Sequence, residues 1–177
     1  FSSISQAGYI ALGIISGSAL GMATMIYYIF IYLFSNLAAF GVISSIESRT
    51  GKTDIPDYKG LYQTNPKLSF VMMLAMFSLA GIAPFAGFMS KFFIFSAAAQ
   101  QGYYLLVIVA VVNTIISLYY YLRVVKAMFI DQNGQPLPAL RTDIWNRASL
   151  IICTVAIIFV GLLGFILDMI EKQSFGI

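Results

Sequence analysis

The chain has 177 residues, of which 60% are hydrophobic and 10% are charged, and its net charge is +3. Soluble domains are about 45–50% apolar and about 25% charged, so this composition excludes a water-soluble globular protein and a nucleic-acid-binding protein. It indicates an all-α, multi-pass protein of the lipid bilayer. The sequence has no histidine and one cysteine, which excludes a Ser-His-Asp hydrolase, an intrachain disulfide and a cysteine-bound metal cluster.

Five apolar stretches follow one another along the chain. A membrane span needs about 20 apolar residues, and residues 1–16 fall short of this, so we expect the chain to begin inside a span and to be part of a longer protein. The remaining stretches cover residues 22–46, 68–99, 103–128 and 148–169. We interpret residues 1–177 as a single transmembrane domain.

The stretch 68–99 does not fit one straight helix. It would be about 48 Å long, whereas the hydrocarbon core is about 30 Å thick. Two separate spans would have about 14 residues each, which is too few. Gly81, Pro84 and Gly87 lie at its centre, and glycine and proline both permit a break in helical backbone. We therefore predict one span that is broken at residues 81–87.

The charged loops decide how often this stretch crosses the membrane. If it crosses once, the loops 47–67 and 130–147 share one side, which together with Arg123 and Lys126 at the end of the stretch 103–128 holds eight basic residues against Lys172 alone. If it crosses twice, four basic residues face five. The positive-inside rule favours the single crossing. The sequence thus predicts five spans, with the basic loops in the cytoplasm and the C-terminus in the opposite compartment.

Lys91 is the exception among the charged residues. Of the 17 charges, 16 lie in loops or at span ends, but Lys91 lies four residues beyond Gly87. A lysine at that depth costs about 2.5–3.5 kcal/mol and usually marks an ion or proton path. The alternative is that its amine reaches the interface, but the apolar run continues to Ala99. We expect Lys91 to relay protons, with an acidic partner elsewhere in the protein or on another subunit, because no span interior contains an acid.

A few polar residues could line a path beside Lys91. Asn113 and Ser117 are four residues apart on one helix face, and hydrogen bonding between helices is the alternative role for each of these residues. For Ser35 and Asn36, and for the serines of residues 2–5, helix–helix hydrogen bonding is the favoured interpretation. The predicted path-lining residues are Gln6, Ser90, Asn113, Ser117 and Tyr121.

Several motifs resemble one family. They are Ser2–Tyr9, Tyr32–Gly41, Asp57–Leu61, Leu79–Phe92 and Tyr119–Val124. Together they resemble the antiporter-like subunit N family of bacterial-type NADH:quinone oxidoreductase, respiratory complex I. The resemblance implies an inverted-repeat fold of 14 spans, of which this chain would hold the C-terminal five, with the broken span as the twelfth. Lys91 occupies the position of a proton-channel lysine in that family.

The resemblance also implies function and partners. It implies proton translocation driven by quinone reduction elsewhere in a complex that uses NADH, FMN, iron–sulfur clusters and quinone, with no cofactor or metal site in this chain. The implied partners are antiporter-like M and L subunits and small K and J type subunits, and the implied location is the bacterial inner membrane, with the C-terminus in the periplasm. Gln6 stands where many relatives carry histidine, so it could hold water but not titrate. A subunit of an Mrp-type cation/proton antiporter is the alternative.

Overall fold

The computed structural model describes residues 2–131, 133–134, 136–140 and 143–162, and within these it is helical with no strand. The all-α prediction is therefore confirmed. In chain order, the helices are α1 (Ser2–Ile15), α2 (Ala19–Thr50), a 3₁₀ turn (Ile55–Tyr58), α3 (Leu61–Thr64), α4 (Pro66–Ala80), α5 (Ala86–Gln100), α6 (Tyr104–Phe129) and α7 (Ile144–Leu162). The end of the predicted span 148–169 lies outside the described residues.

Two of these helices, α2 and α6, are long and apolar enough to cross a membrane alone. Helices α4 and α5 have 15 residues each, or about 22 Å at 1.5 Å per residue, so each is shorter than a bilayer core of about 30 Å. The prediction of five spans thus depends on α4 and α5 crossing together as one interrupted element, and it stays a prediction.

The turn between α1 and α2 brings these two helices close together. Gly17 adopts φ +58°, which favours glycine, and the Ser18 side chain accepts a hydrogen bond from the Gly21 N–H at 3.0 Å. This is the usual cap of a helix N-terminus. A Cβ at Gly21 would lie 2.7 Å from the Gly13 carbonyl oxygen, so the glycine allows α2 to pack directly on α1.

Helix α2 lies at the centre of the fold, against α1, α4, α5 and α7. Its buried residues join those of α4, α6 and α7 in the main core, which includes Val42, Ile46, Met72, Ala75 and Met128. Many outward positions are also apolar: Leu105, Ile115 and Ile116 of α6 are each more than 60% exposed. Such an outer surface suits lipid or further protein rather than water.

The two basic loops contact each other. The Asn65 side chain donates to the Pro138 carbonyl oxygen at 3.0 Å and accepts from the Leu140 N–H at 2.8 Å, and Arg49 pairs with Asp143 at 3.1 Å. The loops after α2 and after α6 therefore lie at the same end of the helix bundle. Within the first loop Tyr58 is buried, and burial beside the carboxylates of Glu47 and Asp57 raises the pKa of its phenol.

Candidate functional site

Lys91 lies in the second turn of α5, and only 4% of it is exposed. Its Nζ donates hydrogen bonds to the carbonyl oxygens of Leu79 at 2.9 Å and Ala80 at 3.2 Å. These carbonyls belong to the last turn of α4, where the helix has no further N–H groups to pair with them. The end of a helix also carries partial negative charge, which favours a cation. The helix break thus supplies the polar groups that a buried ammonium requires.

Two glycines create this break. Helix α4 ends at Gly81, which adopts φ +80°, and its N–H bonds to the carbonyl oxygens of Phe77 and Ser78 at 3.0 Å. A Cβ at Gly81 would lie 2.9 Å from Cδ of Lys91, and one at Gly87 would lie 1.7 Å from the Ser78 carbonyl oxygen. Pro84 lies between the two helices. Only glycine at positions 81 and 87 lets the start of α5, with Lys91, pack on the end of α4.

An aromatic ring covers the ammonium group. Nζ of Lys91 lies over the Tyr9 ring, 5.1 Å from its centroid, a distance at which a cation is attracted to the ring face. Tyr9 itself is 2% exposed. Its hydroxyl accepts hydrogen bonds from the side chains of Asn113 at 3.2 Å and Thr114 at 3.0 Å. Residues of α1, α4, α5 and α6 therefore meet around Lys91.

Gln6 connects the same site to two further phenols. Its Nε2 donates to the Tyr121 hydroxyl at 3.1 Å and to the Leu79 carbonyl oxygen at 3.5 Å. Its Oε1 accepts from the Tyr28 hydroxyl, and Ser2 hydrogen-bonds to Tyr121. Gln6 and Lys91 thus share the Leu79 carbonyl, and one hydrogen-bonded network reaches from the lysine to the start of α1.

A small cavity adjoins Lys91. Its volume is about 10 Å³, roughly the space that one water molecule needs. The Ser35 and Ser78 hydroxyls bond to each other at 2.8 Å, and the Ser90 hydroxyl donates to the Gly87 carbonyl oxygen at 3.0 Å. No acidic side chain of the described residues lines this cavity. Its lining includes Gln6, Tyr28, Ser35, Ser78, Ser90 and Lys91.

The structure brings most of the predicted site residues together. Gln6 and Ser90 lie beside Lys91, and Tyr121 bonds to Gln6. Asn113 is one step removed, because it bonds to the hydroxyl of Tyr9. Ser117 is buried, but its hydroxyl donates to the Thr114 carbonyl oxygen of its own helix at 2.7 Å.

Sequence reasoning missed several residues of the site. Tyr9, Tyr28, Ser78 and Thr114 were not predicted as site residues. Ser35 was expected to form a helix–helix hydrogen bond, and its bond to Ser78 does join α2 to α4. For Tyr9 a signal existed, because it lies three residues after Gln6 and so shares a helix face with it. Ser35 and Ser78 are 43 residues apart in the sequence, so no local sequence pattern predicts their contact.

A helical fold with a buried lysine at an interrupted helix is what the resemblance to antiporter-like membrane subunits implies. The family model described as "NADH:quinone oxidoreductase/Mrp antiporter, TM" matches residues 1–117, and the chain belongs to this family. The resemblance inferred from the motifs is thereby confirmed.

Curated relatives agree with this family. NADH-quinone oxidoreductase subunit N of Azobacteroides pseudotrichonymphae is 59% identical over 100% of this chain and 37% of its own length. The protein of the same name from Phocaeicola vulgatus is 56% identical over 98% of this chain and 37% of its own length. The chain thus spans little more than a third of the length of these relatives.

Solved structures share the fold. A chain of respiratory complex I from Thermus thermophilus matches with a TM-score of 0.76 and 31% identity, over 94% of this chain and 38% of that chain. A chain of the Mrp complex from Dietzia matches with a TM-score of 0.85 but 24% identity, over 97% of this chain and 40% of that chain. The second likeness shows the fold alone.

Proposed function

We propose that this chain is part of an antiporter-like subunit N of a bacterial NADH:quinone oxidoreductase, and that it conducts protons through Lys91. The relatives named subunit N support the first half of this proposal. The observation that carries the second half is the placement of Lys91: a buried amine on the free carbonyls of a broken helix, beside a cavity of about 10 Å³. Quinone reduction in other subunits would drive the process.

The geometry allows Lys91 to load and release one proton. As an ammonium, it donates to the carbonyl oxygens of Leu79 and Ala80. As a neutral amine, it has a lone pair that can accept a proton relayed through a water molecule in the adjoining cavity. Because the carbonyls belong to α4 and the amine to α5, a small displacement of one half-helix against the other changes how well the charged form is stabilised. Such a displacement would couple distant chemistry to proton release.

The surrounding polar groups form two hydrogen-bonded sets beside Lys91. One joins Gln6 to Tyr121 and Ser2, and the other joins the Tyr9 hydroxyl to Asn113 and Thr114, while Lys91 itself contacts the ring face of Tyr9. Gln6 has no titratable group, so its role is to orient water and hold the phenols. Ser90, which directly precedes Lys91 in α5, also lines the cavity.

The proposal includes a membrane topology. Helices α4 and α5 form one broken span of five, in a bacterial inner membrane with the basic loops in the cytoplasm and the C-terminus in the periplasm. The contact between the two basic loops through Asn65 supports a single crossing, because loops on one side can meet. The partners would be antiporter-like M and L subunits and small K and J type subunits, while NADH, FMN, iron–sulfur clusters and quinone would bind other chains of the complex.

Purification of the full-length protein tests whether it belongs to this complex. A tagged subunit should co-purify with flavin and iron–sulfur clusters and with NADH oxidation that is coupled to quinone reduction. The alternative is an Mrp-type cation/proton antiporter, which the description of the matching family also names. Purification without redox subunits, together with sodium/proton exchange in vesicles, would contradict the proposal and support that alternative.

A further inference from the structure

We propose that Tyr9 is a positioning residue for Lys91: its ring face stabilises the ammonium, and its hydroxyl ties that ring to α6. This inference deepens the proposed proton function and depends on it. The sequence predicts an acidic partner for Lys91 from elsewhere, yet the structure gives the amine a partner within the chain that carries no charge. That partner is the π-face of Tyr9, at 5.1 Å from Nζ.

The burial of both groups strengthens the contact between the ammonium and the ring. Lys91 is 4% exposed and Tyr9 is 2% exposed, and the attraction between a cation and a ring face is stronger when both are removed from water. Two N–H donors of the ammonium are taken by the carbonyls of Leu79 and Ala80. The ring face offers negative potential to the ammonium in addition to these bonds. Carbonyls and ring together replace the carboxylate that a buried lysine would otherwise require.

The ring is fixed from three sides. Tyr28 packs edge-on against it, with centroids 6.2 Å apart, and Phe95 does the same at 5.6 Å. The Tyr9 hydroxyl is held by Asn113 and Thr114 of α6. Because the phenol bridges α6 and Lys91, a displacement of α6 relative to α1 changes the position of the ring against the ammonium. Tyr9 therefore connects the protonation of Lys91 to the position of α6.

The other titratable groups near Lys91 do not compete for this role. The carboxylates in the described residues lie in the loops and helix ends on the basic side, and α7 carries Arg147 and Cys153, neither of which lines the Lys91 cavity. Helix α4 presents carbonyls and Ser78, and its lysine, Lys67, lies at its far end. The remaining groups that face the site from α2 and α6 are phenols: Tyr28, Tyr32, Tyr120 and Tyr121.

The test uses the complete complex in vesicles and measures NADH-driven proton pumping against pH. Tyr9→Leu removes the ring, so the charged form of Lys91 is less stable and loses its proton at lower pH. The alkaline limb of the pumping profile should move down by about one pH unit. Tyr9→Phe keeps the ring but removes the hydroxyl that bonds to α6. The alkaline limb of its pumping profile should therefore stay near the wild-type position, while its maximum pumping rate falls.

Two further variants separate ring electrostatics from packing. Fluorinated phenylalanines at position 9 nearly preserve the volume of the ring but withdraw electrons from its face, so the limb should move stepwise with the number of fluorines. Tyr27→Leu is the matched control, because Tyr27 is also fully buried but packs on Phe93 and donates to the Val160 carbonyl oxygen, away from Lys91. Its limb should not move.

The outcomes distinguish this inference from the proposed function. A graded shift in the fluorinated series, with no shift in Tyr27→Leu, supports the role of Tyr9. Equal limbs for Tyr9→Leu, the fluorinated variants and wild type would overturn it, as would an equal shift in Tyr27→Leu. If Lys91→Met pumps normally, the proposed function fails as well; if Lys91→Met abolishes pumping but the Tyr9 variants share the wild-type limb, only the inference fails.

Discussion

The chain stabilises its positive charges in two different ways in two regions. In the basic loops, Arg49 pairs with Asp143 at 3.1 Å, and these side chains are 41% and 82% exposed. Inside the helix bundle, Lys91 is 4% exposed and contacts two carbonyls and an aromatic ring. Exposed ion pairs contribute about 0–1 kcal/mol, whereas a buried charge that loses its polar partners costs several. Sensitivity to mutation should therefore be concentrated at the helix break.

The largest expected effect comes from a side chain that blocks the close contact between α4 and α5. Gly87→Ala would place a Cβ 1.7 Å from the Ser78 carbonyl oxygen, and neither backbone can yield without separating Lys91 from its carbonyls. We expect a loss of about 3 kcal/mol or more, seen as little assembled complex in the membrane.

Gly8→Ala is the matched control for this variant. Gly8 lies on the exposed face of α1, and a Cβ there meets nothing within 4 Å. Alanine also favours a helix more than glycine does, so assembly should equal or exceed that of wild type. Equal assembly of Gly87→Ala and Gly8→Ala would contradict the packing described for the break.

A smaller effect is expected when the hydrogen-bonded network beside Lys91 loses an uncharged polar side chain. Gln6→Leu leaves the Tyr28 and Tyr121 hydroxyls without their shared partner in a buried site, which should cost about 1–3 kcal/mol. The melting temperature of the purified complex should fall, and so should proton pumping. Gln63→Leu, at an exposed glutamine of α3, should change neither the melting temperature nor proton pumping. A similar loss in both variants would contradict a stabilising role for the hydrogen-bonded network around Gln6.

The smallest effect is expected in the basic loops. Arg49→Gln or Asp143→Asn removes an ion pair that is largely exposed, so stability should change by less than about 1 kcal/mol and the change should shrink further as salt is added. Thermal unfolding of the complex at low and high salt checks this. A salt-independent loss of stability as large as that of Gln6→Leu would contradict the expected difference between the exposed loops and the buried Lys91 site.

Local sequence signals predicted the elements that depend on local chemistry. Glycine and proline at positions 81–87 interrupt the helix, and Lys91 stands out because it is charged within an apolar run. Helix ends were less predictable. Helix α2 continues to Thr50, beyond the predicted boundary at residue 46, since Gly51 ends the helix in the left-handed conformation with φ +67°. Charged residues such as Glu47 are tolerated in that last turn because it lies in the exposed loop region.

The partners of Lys91 were beyond sequence reasoning. The ring of Tyr9 comes from a residue more than 80 positions away, and Ser35 meets Ser78 only because α2 packs on α4. An aromatic residue in an apolar helix looks like core packing whether or not a cation lies over it. Composition predicted that Lys91 needs a partner, but only the packing of five helices showed that carbonyls and a ring take that place.

The most direct test of the account is the number of protons pumped per NADH oxidised by the complete complex in sealed vesicles. Lys91→Met keeps the length of the side chain but removes the charge, and Lys59→Gln removes an exposed loop charge as the control. If Lys91 relays protons, both complexes should assemble, and the ratio should fall well below wild type in Lys91→Met alone. A wild-type ratio in a correctly assembled Lys91→Met complex would contradict this role of Lys91.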